Sequence, residues 1–164
     1  MALLFIISIN NLQAQITKAV VGINGLTCSA CSFATEKSIR QLNFVDSVDM
    51  DLVNNIATVY FSKTIKVNLD DVSKKVYDAG FSVRSLEAFF YFNQVSVTPH
   101  FCFEYANDFY NFFEVKETQL LNGEVKLKLI AKKYMTKREY KLWKSKIDAT
   151  PLCHQTSKTY FVTL

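Results

Sequence analysis

The strongest constraint on this chain is a seven-residue stretch, GLTCSAC (25–31), placed where one kind of local structure gives way to another. Before it, TKAVVGI (17–23) is short and β-branched, which predicts a strand broken by Asn24 and Gly25. After it, SACSFATEKSIRQL (29–42) suits a helix capped by Ser29, with Cys31 in the first turn. Ala30, Ala34, Ile39 and Leu42 form its expected buried side, a stripe interrupted by Thr35. A loop that carries two thiols three apart between a strand and a helix limits both the fold and the chemistry.

The next segments complete a recognisable order. FVDSVDMDL (44–52) and IATVYF (56–61) alternate apolar and polar residues around Asn54 and Asn55, which predicts a hairpin. NLDDVSKKVYDAG (68–80) has acidic residues early and lysines late, Leu69, Val72 and Val76 at helical spacing, and a terminal Gly80 suited to a left-handed C-cap. FSVRSLEA (81–88) reads as a last strand. The sum over residues 16–88 is βαββαβ, an α+β unit of ferredoxin-like arrangement.

Beyond residue 88 the texture is aromatic and strand-rich, as in FFYFNQVSV (89–97) and DFYNFFEV (108–115). TQLLNGEVKLKLIA (118–131) predicts a hairpin turning at Asn122-Gly123. TKREYKLWKSKI (136–147) predicts a helix opened by a capping box, Thr136 and Glu139, with Tyr140, Trp143 and Ile147 on one side. With a final strand in KTYFVTL (158–164), residues 89–164 are expected to form a second small β-rich domain with one helix, an OB-like barrel.

At the other end, MALLFIISINNLQAQ (1–15) runs apolar from Ala2 to Ile9 and then turns polar, which predicts a secretory signal cut after Ala14. Leu12 is large for its place before the cut and no Lys or Arg precedes the run, so a buried N-terminal strand is the competing reading. The apolar run is far shorter than the ~20 residues of a membrane-spanning helix. The expectation is a soluble, secreted or periplasmic protein without a membrane span, in a compartment where thiols tend to be oxidised or metal-bound.

Cys28 and Cys31 then have three readings. A helix N-terminus favours the thiolate, and two soft sulfur ligands suit Cu(I) and, by the same softness, Ag(I) or Hg(II). Structural zinc takes four ligands, and neither a second CxxC nor a nearby His supplies them. A thiol-disulfide redox pair and a plain structural disulfide are the alternatives. The two prolines, Pro99 and Pro151, lie far from the motif, unlike the prolines of thioredoxin-like sites.

The residues Gly25, Leu26, Thr27, Cys28, Ser29, Ala30 and Cys31 resemble the Gly-Met-Thr-Cys-x-x-Cys signature of the heavy-metal-associated domains. Copper chaperones, copper-transporting ATPases and the periplasmic mercury-binding protein carry these domains. VDSVDMDL and KKVYDAGFSV extend the resemblance over Thr17 to Ala88. It implies metal ligation by Cys28 and Cys31, a loop pinned by Leu26 in place of Met, and Phe81 packed beside that loop. Ser32, Thr35 and Asn43-Phe44 depart from the family pattern. The implied role is sequestration of a soft ion or its transfer to a transporter or acceptor protein.

The charge divides along the chain. Residues 16–88 hold eight basic and eight acidic side chains, so the formal +4 resides in the second half. Nine basic residues between Lys126 and Lys146, interleaved with Tyr134, Tyr140 and Trp143, resemble a nucleic-acid surface. In an exported protein a solvated helix face is the default, and docking on an acidic partner or membrane surface is the functional alternative. His100 with Cys102, and Cys153 with His154, offer a second tetrahedral metal site if the segments meet. A Cys102–Cys153 disulfide or two buried free thiols are the other fates. The chain contains no GxSxG, no HExxH and no phosphate-cradling glycine loop, so an enzyme is not expected.

Overall fold

A computed structural model of the protein describes residues 15–154 and 157–164. The expected signal segment lies almost wholly outside the described residues.

The first six elements are β1 (Gln15–Asn24), α1 (Ser29–Ile39), β2 (Val45–Asp51), β3 (Ile56–Phe61), α2 (Leu69–Asp78) and β4 (Ser82–Val97). They realise the βαββαβ order as antiparallel strands β2-β3-β1-β4 with the helices crossing over one face. Ala19, Val21 and Ile23 of β1, Ala57 and Val59 of β3, and Leu86 and Ala88 of β4 are fully buried in that face. Leu69, Val72 and Val76 of α2 and Ile39 of α1 cover them. Asn68 caps α2, its side chain accepting from the Asp70 amide at 3.0 Å, and Gly80 follows the helix with φ +92°.

The buried stripe of α1 differs from the expected one. Ser32, Thr35 and Ile39 face the core, while Ala30 and Ala34 are exposed. The hydroxyls remove their own burial cost: Ser32 Oγ donates to the Cys28 carbonyl at 3.4 Å and Thr35 Oγ1 to the Cys31 carbonyl at 3.0 Å. A helix that satisfies these hydroxyls internally can bury them at close approach to the sheet.

The second half adds β5 (Cys102–Tyr105), β6 (Asp108–Phe112), β7 (Gln119–Ile130), α3 (Lys137–Ala149) and β8 (Thr159–Thr163). β4 runs unbroken across residues 88 and 89, so backbone pairing continues from one half into the other. The result is one eight-stranded sheet, β2-β3-β1-β4-β7-β8-β6-β5.

Two expectations are corrected here. Asn122-Gly123 is not a hairpin turn: β7 passes straight through it, with Gly123 opposite Phe92 and Leu121 opposite Val95 of β4. The register slips there, Gln94 and Gly123 take positive φ, and the Gln94 amide donates to Asn122 Oδ1 at 3.3 Å. The residue types that make a type I′ turn here serve a bulge. Nor is the OB-like barrel closed by backbone pairing, since no β4–β5 ladder exists among the described residues. Instead the sheet curls until Phe103 of β5 meets Phe90 and Phe92 of β4, both at 5.3 Å between ring centroids. Tyr110, Phe112 and Tyr160 fill the curl.

α3 begins as its sequence predicts, with Thr136 Oγ1 accepting from the Glu139 amide at 3.2 Å. Tyr140, Trp143 and Ile147 pack on Phe113, Ile130 and Met135. The Glu139 carboxylate reaches Lys128 of β7 at 2.5 Å.

The halves are also joined by side chains around Asp70, near the start of α2. Lys133 contacts its Oδ1 at 2.5 Å, Lys158 its Oδ2, and the buried Tyr134 hydroxyl donates to Oδ1. Burial pushes the Asp70 carboxyl up, but the three hydrogen bonds outweigh it and hold its pKa at about 2. Burial likewise pushes Tyr160, beside the cluster, up to about 12. Ser73 Oγ donates to the Lys133 carbonyl at 3.1 Å, and Tyr105 Oη accepts from the Val67 amide at 3.2 Å.

Candidate metal centre

The thiol loop sits where β1 ends. Gly25 turns the chain with φ +92°, a conformation that suits glycine. A Cβ at Gly25 would lie 3.3 Å from Phe81 Cδ1, so the ring of Phe81 packs directly against the loop backbone. Leu26 is buried, 6% exposed, and anchors the loop in the core. Thr27 and Cys28 are exposed and Cys31 is half-buried against the core.

The helix cap is Cys28, one residue earlier than expected. Cys28 has extended backbone, φ −150° and ψ 160°, and its Sγ accepts a hydrogen bond from the Cys31 amide at 3.2 Å. Ser29 is therefore the first helical residue. Hydrogen bonding with the Cys31 side chain, and after it the cap bond from the Cys31 amide, lowers the Cys28 pKa below the ordinary thiol value. Cys28 and Cys31 are both free thiols. Among the described residues no group of three or more His, Cys, Asp or Glu is placed to hold a metal ion. The loop thus offers two sulfur donors on an exposed turn, a set that fits soft ions of low coordination number better than four-coordinate zinc.

The second candidate cluster resolves differently. Cys102 and Cys153 form a disulfide with Cα atoms 6.1 Å apart, which leaves no thiolate for a tetrahedral centre. The segments do meet, as that site required, but the sulfurs are spent on each other. His154 stacks on Phe109 at 5.0 Å between centroids, and His100 takes a left-handed turn with φ +63°.

Sequence reasoning missed two features, one on the helix that follows the loop and one at the far end of α2. Phe33, on the outward side of α1, is 66% exposed. Asp70, read only as an early acidic residue of α2, is the anchor of three groups from the other half. An exposed aromatic at a non-stripe helical position was a signal for the first; no local signal marked the second.

With the loop, its cap and its packing established, comparison with known proteins assigns the first half. The heavy-metal-associated domain family matches residues 20–82, which are a heavy-metal-associated domain. A copper-transporting ATPase of Helicobacter felis is 37% identical over 68 residues, 42% of this chain and 9% of the relative. A probable copper-transporting ATPase of Arabidopsis thaliana is 33% identical over 72 residues, 44% of this chain and 7% of the relative. This chain spans less than a tenth of the length of these relatives.

Two solved structures are similar to part of this chain. A copper-binding domain of a P-type ATPase is 34% identical, covering 42% of this chain and 90% of that one, with a TM-score of 0.39. Oxidized MerP of Ralstonia metallidurans is 30% identical, covering 42% and 96%, with a TM-score of 0.38.

Proposed function

We propose that this protein binds one soft thiophilic ion through Cys28 and Cys31 and either sequesters it or passes it to a transporter or acceptor protein. Cu(I) is the foremost candidate, with Ag(I) and Hg(II) equivalent by softness. The observation that carries this reading is the exposed, amide-stabilised Cys28 sulfur beside Cys31 at the start of α1. The copper-transporting relatives support the choice of ion.

Transfer follows from low coordination. An incoming thiolate adds to a two-coordinate ion, a three-coordinate intermediate forms, and one original cysteine leaves. The protein turns over no substrate in this reading. Phe33 provides exposed apolar surface on the same helix for an acceptor. Export is part of the proposal, supported by the apolar N-terminal run and by the Cys102–Cys153 disulfide, a bond typical of oxidising compartments. No helix among the described residues is long and apolar enough to cross a membrane.

The test is competition for Cu(I) between the reduced protein and a chromogenic Cu(I) chelator. The expected result is one ion per chain in the native protein and none in the Cys28→Ser, Cys31→Ser variant; equal binding by that variant refutes the reading. A thiol-disulfide role draws on the same lowered Cys28 pKa. Catalysed disulfide exchange by metal-free protein would favour it instead, and a phenotype untouched by the double substitution would favour a non-metal interaction protein.

A further inference from the structure

A cavity of about 860 Å³ opens at the seam between the heavy-metal-associated domain and the second half. One wall comes from Asn24, Ser82, Val83 and Tyr77; the other comes from residues 131–133 and 135–137 of the connection from β7 to α3. Its volume lies in the range of small-molecule sites, roughly 300–1,000 Å³. Asn24 adjoins Gly25 and Ser82 adjoins Phe81, so the cavity begins one residue from the packing that shapes the thiol loop.

The lining has two characters. Val83 and Met135 are buried, and with Ala131 and the Tyr77 ring they make an apolar wall. Lys132, Lys133 and Lys137 stand on the same connection. Lys133 is paired with Asp70, which it shares with Lys158, whereas Lys132 and Lys137 are exposed and have no ion-pair partner among the described residues. No acidic residue lines the cavity. Two unpaired cations above an apolar wall complement a ligand with a negative head and a hydrocarbon or aromatic body.

From this charge and shape complementarity we propose that the cavity is a binding site for a small organic anion with an apolar body, an amphipathic carboxylate or sulfonate. The apolar wall takes the body out of water, and Lys132 and Lys137 hold the anionic group. Metal ligation is not required, because neither thiol lines the cavity.

The test is fluorescence titration of the full protein with 1-anilinonaphthalene-8-sulfonate, followed by displacement with decanoate and with decanol. The expected result is saturable binding of one probe per chain, displaced by decanoate at least tenfold more effectively than by decanol. Lys132→Glu, Lys137→Glu should weaken the probe at least tenfold, and Ala131→Phe, which narrows the cavity at its apolar wall, should weaken it at least tenfold. All variants should keep the native far-ultraviolet circular dichroism. Cys28→Ser, Cys31→Ser should bind the probe as the native protein does, so failure here and failure of the metal reading are separable. Absence of saturable binding, equal displacement by decanol, or unchanged affinity in both cavity variants would overturn the proposal.

Discussion

Replacing Asp70 with Asn should destabilise the whole protein, because one carboxylate ties α2 to three groups of the other half. The carboxyl falls from an ordinary 3.8 to about 2 in the folded chain. At about 1.4 kcal/mol per tenfold, that is about 2.5 kcal/mol of stabilisation at neutral pH. The side chain is 26% exposed, and discounting for solvent screening leaves about 1.5–2 kcal/mol. For a chain of this size the melting temperature should drop by about 4–8 °C.

The pH dependence is the sharper check. A carboxylate whose folded pKa is depressed contributes fully above its unfolded pKa and loses that contribution as pH falls through about 4 towards 2. Urea midpoints of the native and Asp70→Asn proteins should therefore differ at pH 7, with the gap narrowing to about a third by pH 2.5 and closing only below about pH 2. Glu36→Gln, which breaks an exposed pair with Arg40 on α1, is the control and should cost under about 0.5 kcal/mol. Equal midpoints at pH 7, or a gap undiminished at pH 2.5, would refute the assignment of this energy to the Asp70 carboxylate.

Two further outcomes are expected. In reduced, metal-free protein at pH 7, iodoacetamide should modify Cys28 several-fold faster than Cys31, as read by peptide mass spectrometry, since Cys28 is exposed with a lowered pKa and Cys31 is half-buried. Replacing Cys102 and Cys153 with Ser opens a bridge between residues 51 apart, and the chain-entropy estimate puts the loss at about 4 kcal/mol, measurable by urea unfolding.

The βαββαβ half was legible because its signals are local and mutually consistent. The alternation in IATVYF, the Asn68 cap and the Gly80 C-cap each act within a few residues of the structure they specify. The second half was legible only in pieces. Asn122-Gly123 carries turn chemistry, but whether such residues close a hairpin or absorb a bulge depends on the strand opposite, and β4 lies about thirty residues away in sequence. The same limit hid the continuity of β4: Phe90 and Phe92 read as the start of a new domain, yet their partners on β5 lie beyond an intervening loop. Asp70 was unreadable for a stronger reason, since its three partners come from residues 133, 134 and 158.

The thiol loop shows a subtler failure. Ser29 is the better cap by residue preference, yet the chain caps α1 with Cys28, because the extended backbone at 28 aims Sγ at the Cys31 amide. Capping and the proposed metal ligation then fall on one atom, which would couple helix stability to the site at Cys28. Serine retains a capping oxygen while removing the soft donor, whereas alanine removes both. That is why the serine variant isolates the metal contribution: loss of Cu(I) binding in Cys28→Ser, Cys31→Ser cannot be attributed to a frayed α1.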